Sequence, residues 1–177
     1  MGDLHRMIVE AVANERYLVS DRADERCEER GLTAWQLVTG LSDAELLEVR
    51  WDAVPNPTIV TRQLLVDGTA VEVVWAFLVS SRRALLPREQ STRTIGNGLR
   101  TGARIMNERR ESRRKWVQRG PYAVELTVEV VYPAEAPNEP CLEPATVRFL
   151  DEVARRAEAG DVEYLNRVGR VYQAVTP

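Results

Sequence analysis

The sequence predicts an α+β fold, and three observations carry that expectation. Apolar residues at helical spacing, with capping signals, fill the first 40 residues. Two β-rich runs flank Asp67-Gly68, a favoured hairpin turn. A strictly alternating run, Tyr122 to Tyr132, precedes a second helical region. The expected architecture is N-terminal helices packed on an antiparallel sheet built around a β-hairpin, then a basic connector, then a C-terminal strand and two helices.

The elements follow in order. Leu4, Met7, Ile8, Ala11 and Val12 share one face of a helix predicted over Asp3 to Arg16. Tyr17 to Val19 is a short extended link. Ser20 or Asp21 caps a second helix with an acidic first turn, which the helix dipole favours. Gly31 ends it, and Thr33 starts a third, short helix that stops at Gly40. Glu45 to Trp51 reads as a strand or the end of a short helix, and Pro55-Asn56-Pro57 as a loop. A two-residue turn at Asp67-Gly68 pairs Val66 with Thr69, Leu64 with Val71, Arg62 with Val73 and Val60 with Trp75. Arg62 is then the one charge on an otherwise apolar face.

From Ser80 to Gly120 the chain is rich in Arg, Gly and Thr without a sustained period, and reads as a flexible connector in which Ile105 to Gln118 can form a basic helix. Tyr122 to Tyr132 is a half-buried strand, placed where it can complete the N-terminal sheet. Pro144 opens a helix with Val147, Leu150, Val153, Ala154 and Ala157 as its stripe. Asp161 caps a last short helix, and Arg170 to Val175 reads as a final strand.

The net charge of −3 conceals an uneven layout. Residues 1–79 carry 7 basic and 14 acidic side chains, residues 80–120 carry 12 and 3, and residues 121–177 carry 5 and 10. These shifts divide the chain into segments 1–79, 80–120 and 121–177, as though two small genes had been joined through a basic linker. No stretch approaches the roughly 18 apolar residues of a membrane span. The opening residues are too charged for a secretory signal, and Arg6 stands where a myristoylation motif needs Ser or Thr. Cys27 and Cys141 lie far apart and His5 is the single histidine, which argues against a disulfide scaffold or a zinc site. The expectation is a cytoplasmic protein with no metal and no cofactor.

"RADERCEERG", "LTAWQLVTGL", "PNP" and the "DG" hairpin with "VEVVWAFLV" resemble the domain of unknown function 4258 family, small bacterial proteins near RelE-type toxins. The resemblance runs from about Tyr17 to Val79. It implies a RelE-like toxin-type domain over 1–79, helices on an antiparallel sheet, and metal-independent RNA cleavage through the ribose 2′-hydroxyl. Implied partners are RNA or the ribosome, and a cognate antitoxin or the chain's own C-terminal module, 121–177, as a restraint. Arg22 stands where the family pattern has His, and "SSRRALLPREQ" where it has a strand bearing Thr-Val-His or Thr-Val-Tyr. These departures leave a second reading, a non-catalytic interaction module that keeps the fold without the chemistry.

Arg22, Arg26 and Arg30 recur at helical spacing and, with Arg62, are the candidates for binding RNA phosphate, since a guanidinium holds two oxygens at once. The alternative for the row is a solvated ladder with Glu25 and Glu29; for Arg62 it is a pair with Glu45 or Glu48. In the connector, Arg113, Arg114, Lys115 and Trp116 combine cations with an aromatic ring, a pattern suited to RNA contact. No residue stands out as a catalytic base: His5 lies outside the matched region, and Glu25 is not distinguished from Glu28 or Glu29.

Overall fold

The computed structural model describes residues 3–65, 68–87 and 108–174. Among these residues five α-helices and nine strands form an α+β fold. The helices are α1 (Asp3–Ala13), α2 (Asp21–Glu29), α3 (Ala34–Gly40), α4 (Pro144–Glu158) and α5 (Val162–Val168). The strands are β1 (Tyr17–Ser20), β2 (Glu45–Arg50), β3 (Thr58–Leu64), β4 (Ala70–Leu78), β5 (Arg83–Leu86), β6 (Arg109–Arg119), β7 (Tyr122–Tyr132), β8 (Cys141–Leu142) and β9 (Arg170–Gln173). All belong to one sheet in the order β2-β3-β4-β5-β1-β8-β7-β6, with β9 on β7. Among the described residues only β1 and β5 pair in parallel.

Local sequence explains the helix ends. Ser20 is the cap of α2, its hydroxyl accepting from the Ala23 amide at 3.2 Å. Thr33 and Gln36 cap α3 reciprocally. The Thr33 hydroxyl also donates to Asp151 of α4 at 2.7 Å, tying an early helix to a late one. Asp161 accepts from Tyr164 N–H to start α5.

Helix stripes and alternate strand residues meet in one main core. Leu4 and Ile8 of α1, Trp75 of β4, Val124 and Val130 of β7, and Val153 of α4 are all fully buried there. Each such side chain contributes about 1.5–3 kcal/mol relative to exposure. A smaller apolar cluster, Leu18, Ala76, Leu78, Leu85, Val131 and Cys141, lies on the opposite face of the sheet.

The hairpin register differs from the expected one. β3 pairs β4 with Leu64 opposite Ala70, Arg62 opposite Glu72 and Ile59 opposite Trp75. Leu65 N–H donates to Thr69 O, so the connection is longer than the two residues Asp67-Gly68; Val66 and Asp67 lie outside the described residues. One step of slip turns every β3 side chain to the other face. Ile59, Thr61 and Gln63 now face the helices, while Leu64 is 77% exposed. The buried polar groups bond locally: Thr61 Oγ1 donates to Val73 O, and Gln63 Nε2 to Leu37 O. The slip also spares Arg62 burial among apolar groups, which is strongly unfavourable for an unpaired cation.

The connector is likewise corrected where it is described. Arg83–Leu86 is a strand, ended by Pro87, within the stretch that stands where the family pattern has its final strand. Arg109–Arg119 is neither linker nor helix but an 11-residue strand paired to β7 along its whole length. Gly120, at φ 55, and Pro121 form the tight turn between them. Residues 88–107 lie outside the described residues. β1 sits between β5 and β8, so all three compositional segments build the same sheet.

Candidate functional site

The arginine row on α2 divides between two surfaces. Each step of four residues advances about 40° around a helix, so the row drifts. Arg26 and Arg30 border a narrow slot of about 80 Å³ between α2 and β4. Ala23, Cys27 and Leu37 form its helical wall, Val71 and Val73 its β4 wall, and Leu86 lies at one end. Arg22 borders a separate cleft of about 610 Å³ on the other face of the sheet. Arg62 is held by Glu45 at 3.4 Å and Glu72 at 3.3 Å, on the exposed side of β3. Glu72 also borders the slot, but Arg62 does not line it. The four candidate phosphate ligands therefore do not converge on one pocket.

The slot lies beside a strand edge that no described residue covers. β4 pairs β3 from Ala70 to Ala76, but on its other side pairs β5 only from Ala76 to Leu78. Phe77 N–H donates to Pro57 O on the β3 side. By alternation, the amides and carbonyls of Ala70, Glu72 and Val74 point away from β3. Among the described residues nothing pairs with that stretch. Pro87 has no N–H to extend β5 along it.

Several connector cations are matched to distant acids of α2. Lys115 Nζ lies 2.8 Å from Asp21 Oδ1 and 2.7 Å from Asp24 Oδ2, and all three side chains are at most 8% exposed. Arg113 reaches Asp21 at 3.3 Å and donates to the Tyr132 hydroxyl at 2.9 Å. Arg119 binds Glu28 at 2.9 Å, and Arg110 bridges Glu129 and Glu143. Strand alternation turns Arg114 and Trp116 the other way. Arg114 meets Glu125 at 3.3 Å, and Trp116 lies against Tyr172 with ring centroids 5.2 Å apart. The four connector candidates for RNA contact are thus split between a buried ion cluster and a solvent face.

Burial pushes the Asp24 carboxyl above its ordinary range, with the Lys115 ammonium pulling it back. Burial works to discharge Lys115, but Asp24 and Asp21 more than offset it and hold the ammonium charged. The Cys27 thiol in the slot is pushed up to about 12 by burial, with Asp24 and Glu28 adding to the effect, so it is no nucleophile at neutral pH. Among the described residues the arrangement offers an apolar slot, an unpaired backbone edge and the exposed Arg30 beside them. It does not pair a base with an acid across a common substrate position.

Asp21, Asp24 and Glu28 escaped the sequence reading as partners of β6, because a charge run without visible periodicity hides a strand. The dipeptide Gly120-Pro121 ahead of the alternating β7 is the signal that marks the turn. Among the described residues no group of three or more His, Cys, Asp and Glu is placed to hold a metal ion, and no helix is long and apolar enough to cross a membrane. Compared with protein-family models, curated proteins and solved structures, the chain finds no match.

Proposed function

We propose that this chain is a non-catalytic protein-interaction module that accepts an extended, acidic segment of a partner protein along the free edge of β4. The observation that carries this reading is the juxtaposition of the Ala70–Val74 edge, unpaired among the described residues, with the apolar slot that Arg26 and Arg30 border. An added strand gains main-chain hydrogen bonds from Ala70, Glu72 and Val74. Its alternate side chains enter the slot beside Val71 and Val73. Arg30, exposed at the end of α2, favours a carboxylate on the incoming strand.

Binding is better supported than RNA cleavage. Strong phosphate binding needs several uncommitted cations, and the described cations of β6 are matched to carboxylates of the same chain. The C-terminal segment supplies none of the slot residues. The occupant is therefore assigned to a separate protein rather than to residues 121–177.

The full-length chain, isotopically labelled, is titrated with a peptide of alternating Glu and Val. Saturable amide shifts are expected at Ala70, Glu72 and Val74. Val74→Pro removes one outward N–H while leaving the β3 ladder intact, and should weaken binding at least about tenfold. Binding indifferent to Val74→Pro would overturn the proposal, as would RNA cleavage by the full chain that Arg26→Ala abolishes.

A further inference from the structure

A pocket of about 280 Å³ opens where α1, α3 and α4 meet the start of β1. It shares no lining residue with the slot beside β4, so the two proposals fail separately. Val9 and Val12 of α1, Trp35 and Val38 of α3, and Leu41 just beyond α3 give it apolar walls. Tyr17, Glu15 and Arg148 stand among them as its functional groups. The Thr39 and Ser42 hydroxyls also border the pocket, but each already donates to a backbone carbonyl of α3.

Tyr17 is the anomaly. It is only 2% exposed, yet its hydroxyl has no hydrogen-bond partner among the described residues. Buried hydroxyls nearly always have one, and going without is costly. Burial pushes this hydroxyl up to about 12, with the Arg148 charge pulling it down and the Glu15 charge pushing it up. It therefore keeps its proton at neutral pH, with both charges near it. The Arg148 guanidinium forks onto the two Glu15 oxygens and lies 5.9 Å from the centre of the Trp35 ring. Glu15 is a weak holder of that cation. Its side chain is 62% exposed, and exposed pairs contribute little. Its φ of 55 is also in the left-handed region that glycine favours. The Glu15 carboxylate thus shows where an anion meets Arg148.

We infer that this pocket binds a small monocarboxylate carrying one apolar ring. The ligand carboxylate displaces Glu15 from the Arg148 guanidinium and accepts from the Tyr17 hydroxyl, while the ring fills the space between Val12, Trp35, Val38 and Leu41. Two neighbouring donors, one of them charged, favour an anion. The apolar walls favour a compact hydrocarbon body. A cationic ligand would find Glu15 but would also meet Arg148. Released Glu15 returns to water, a small change for a side chain already mostly exposed.

The full chain, isotopically labelled, is titrated with phenylacetate near neutral pH. Saturable shifts are expected at the methyl groups of Val12, Val38 and Leu41 and at the Trp35 indole N–H. Arg148→Gln, and replacement of the ligand by neutral phenylacetamide, should each weaken binding at least about tenfold. Tyr17→Phe should weaken it severalfold while leaving the unliganded protein no less stable, since the deleted hydroxyl has no partner to lose. Glu15→Gln should tighten binding severalfold, because the ligand no longer competes for Arg148. Glu15 is exposed and Arg148 lies outside the core, so their variants fold. Absence of saturation up to about 10 mM, equal affinity for phenylacetamide, weaker binding by Glu15→Gln, or a destabilised Tyr17→Phe protein would each overturn the inference.

Discussion

Lys115 donates to Asp21 at 2.8 Å across 94 residues of sequence, with both side chains buried. Asp24 completes the cluster from the next turn of α2. The most basic stretch of the chain thus acts first as structural cement between β6 and the helix that carries the arginine row. Lys115→Met would leave Asp24 buried without its cation and Asp21 with Arg113 alone, at a cost of about 3–5 kcal/mol. The sign of its pH dependence follows from Asp24. Its folded pKa is already raised, and removing the ammonium raises it further. The native state then holds a proton that the unfolded chain has lost, so the variant's stability should increase as pH falls from 7 toward about 4. Urea unfolding at several pH values measures this; a flat or opposite slope would contradict the assignment.

The hairpin register makes a second prediction. Arg62 lies on the exposed face of β3 between two carboxylates, so Arg62→Leu should change stability by no more than about 0.5 kcal/mol. Gly40→Ala should be far less tolerated, because its new Cβ would lie 2.8 Å from the Oε1 of buried Gln63. A loss of about 1–3 kcal/mol is expected for that overpacking. Denaturant midpoints of the two variants compare directly, and a severe effect of Arg62→Leu would favour the two-residue turn instead.

Thr33 caps α3 and donates to Asp151 of α4. Thr33→Val, close in shape but lacking the hydroxyl, should lower stability by about 1–3 kcal/mol through loss of both interactions. Thr33→Ser should recover most of it. Thermal unfolding of the pair tests this, and equal melting temperatures would sink the claim.

Gly169 separates α5 from β9 in extended backbone, where any residue is conformationally allowed. The obstacle is space, since an added Cβ would sit 2.5 Å from Glu125 O. Gly169→Ala should therefore detach β9 from β7 locally. Hydrogen exchange should accelerate at residues 170–173 while α4 stays protected.

Much of the fold was legible because its signals are local. The Thr33 and Pro144 starts, the Gly31 stop and the alternation of β7 all act within a few residues. What was hidden depends on distant partners. β6 reads as a charge run because its inward positions are Arg113 and Lys115, residues that can be buried only beside Asp21 and Asp24. The β3 register was misread because Val60 and Leu64 look like core, whereas Gln63 takes the inside position by bonding Leu37 O. For the site, the arginines themselves were visible, but helix drift separates Arg22 from Arg30. The open edge of β4 follows from where β5 stops, which the presence of Pro87 marks only in hindsight.

The place of β1 in the sheet has a consequence for how the protein is made. Its two neighbours are contributed by residues 83–86 and 141–142, so residues 17–20 wait for partners made much later. During translation Leu18 and Val19 stay uncovered until Leu142 has emerged, and assembly of the sheet is a long-range event. A message cut short after residue 79 or 120 would give not a smaller working unit but an unfinished one, with an apolar strand exposed to chaperones and proteases.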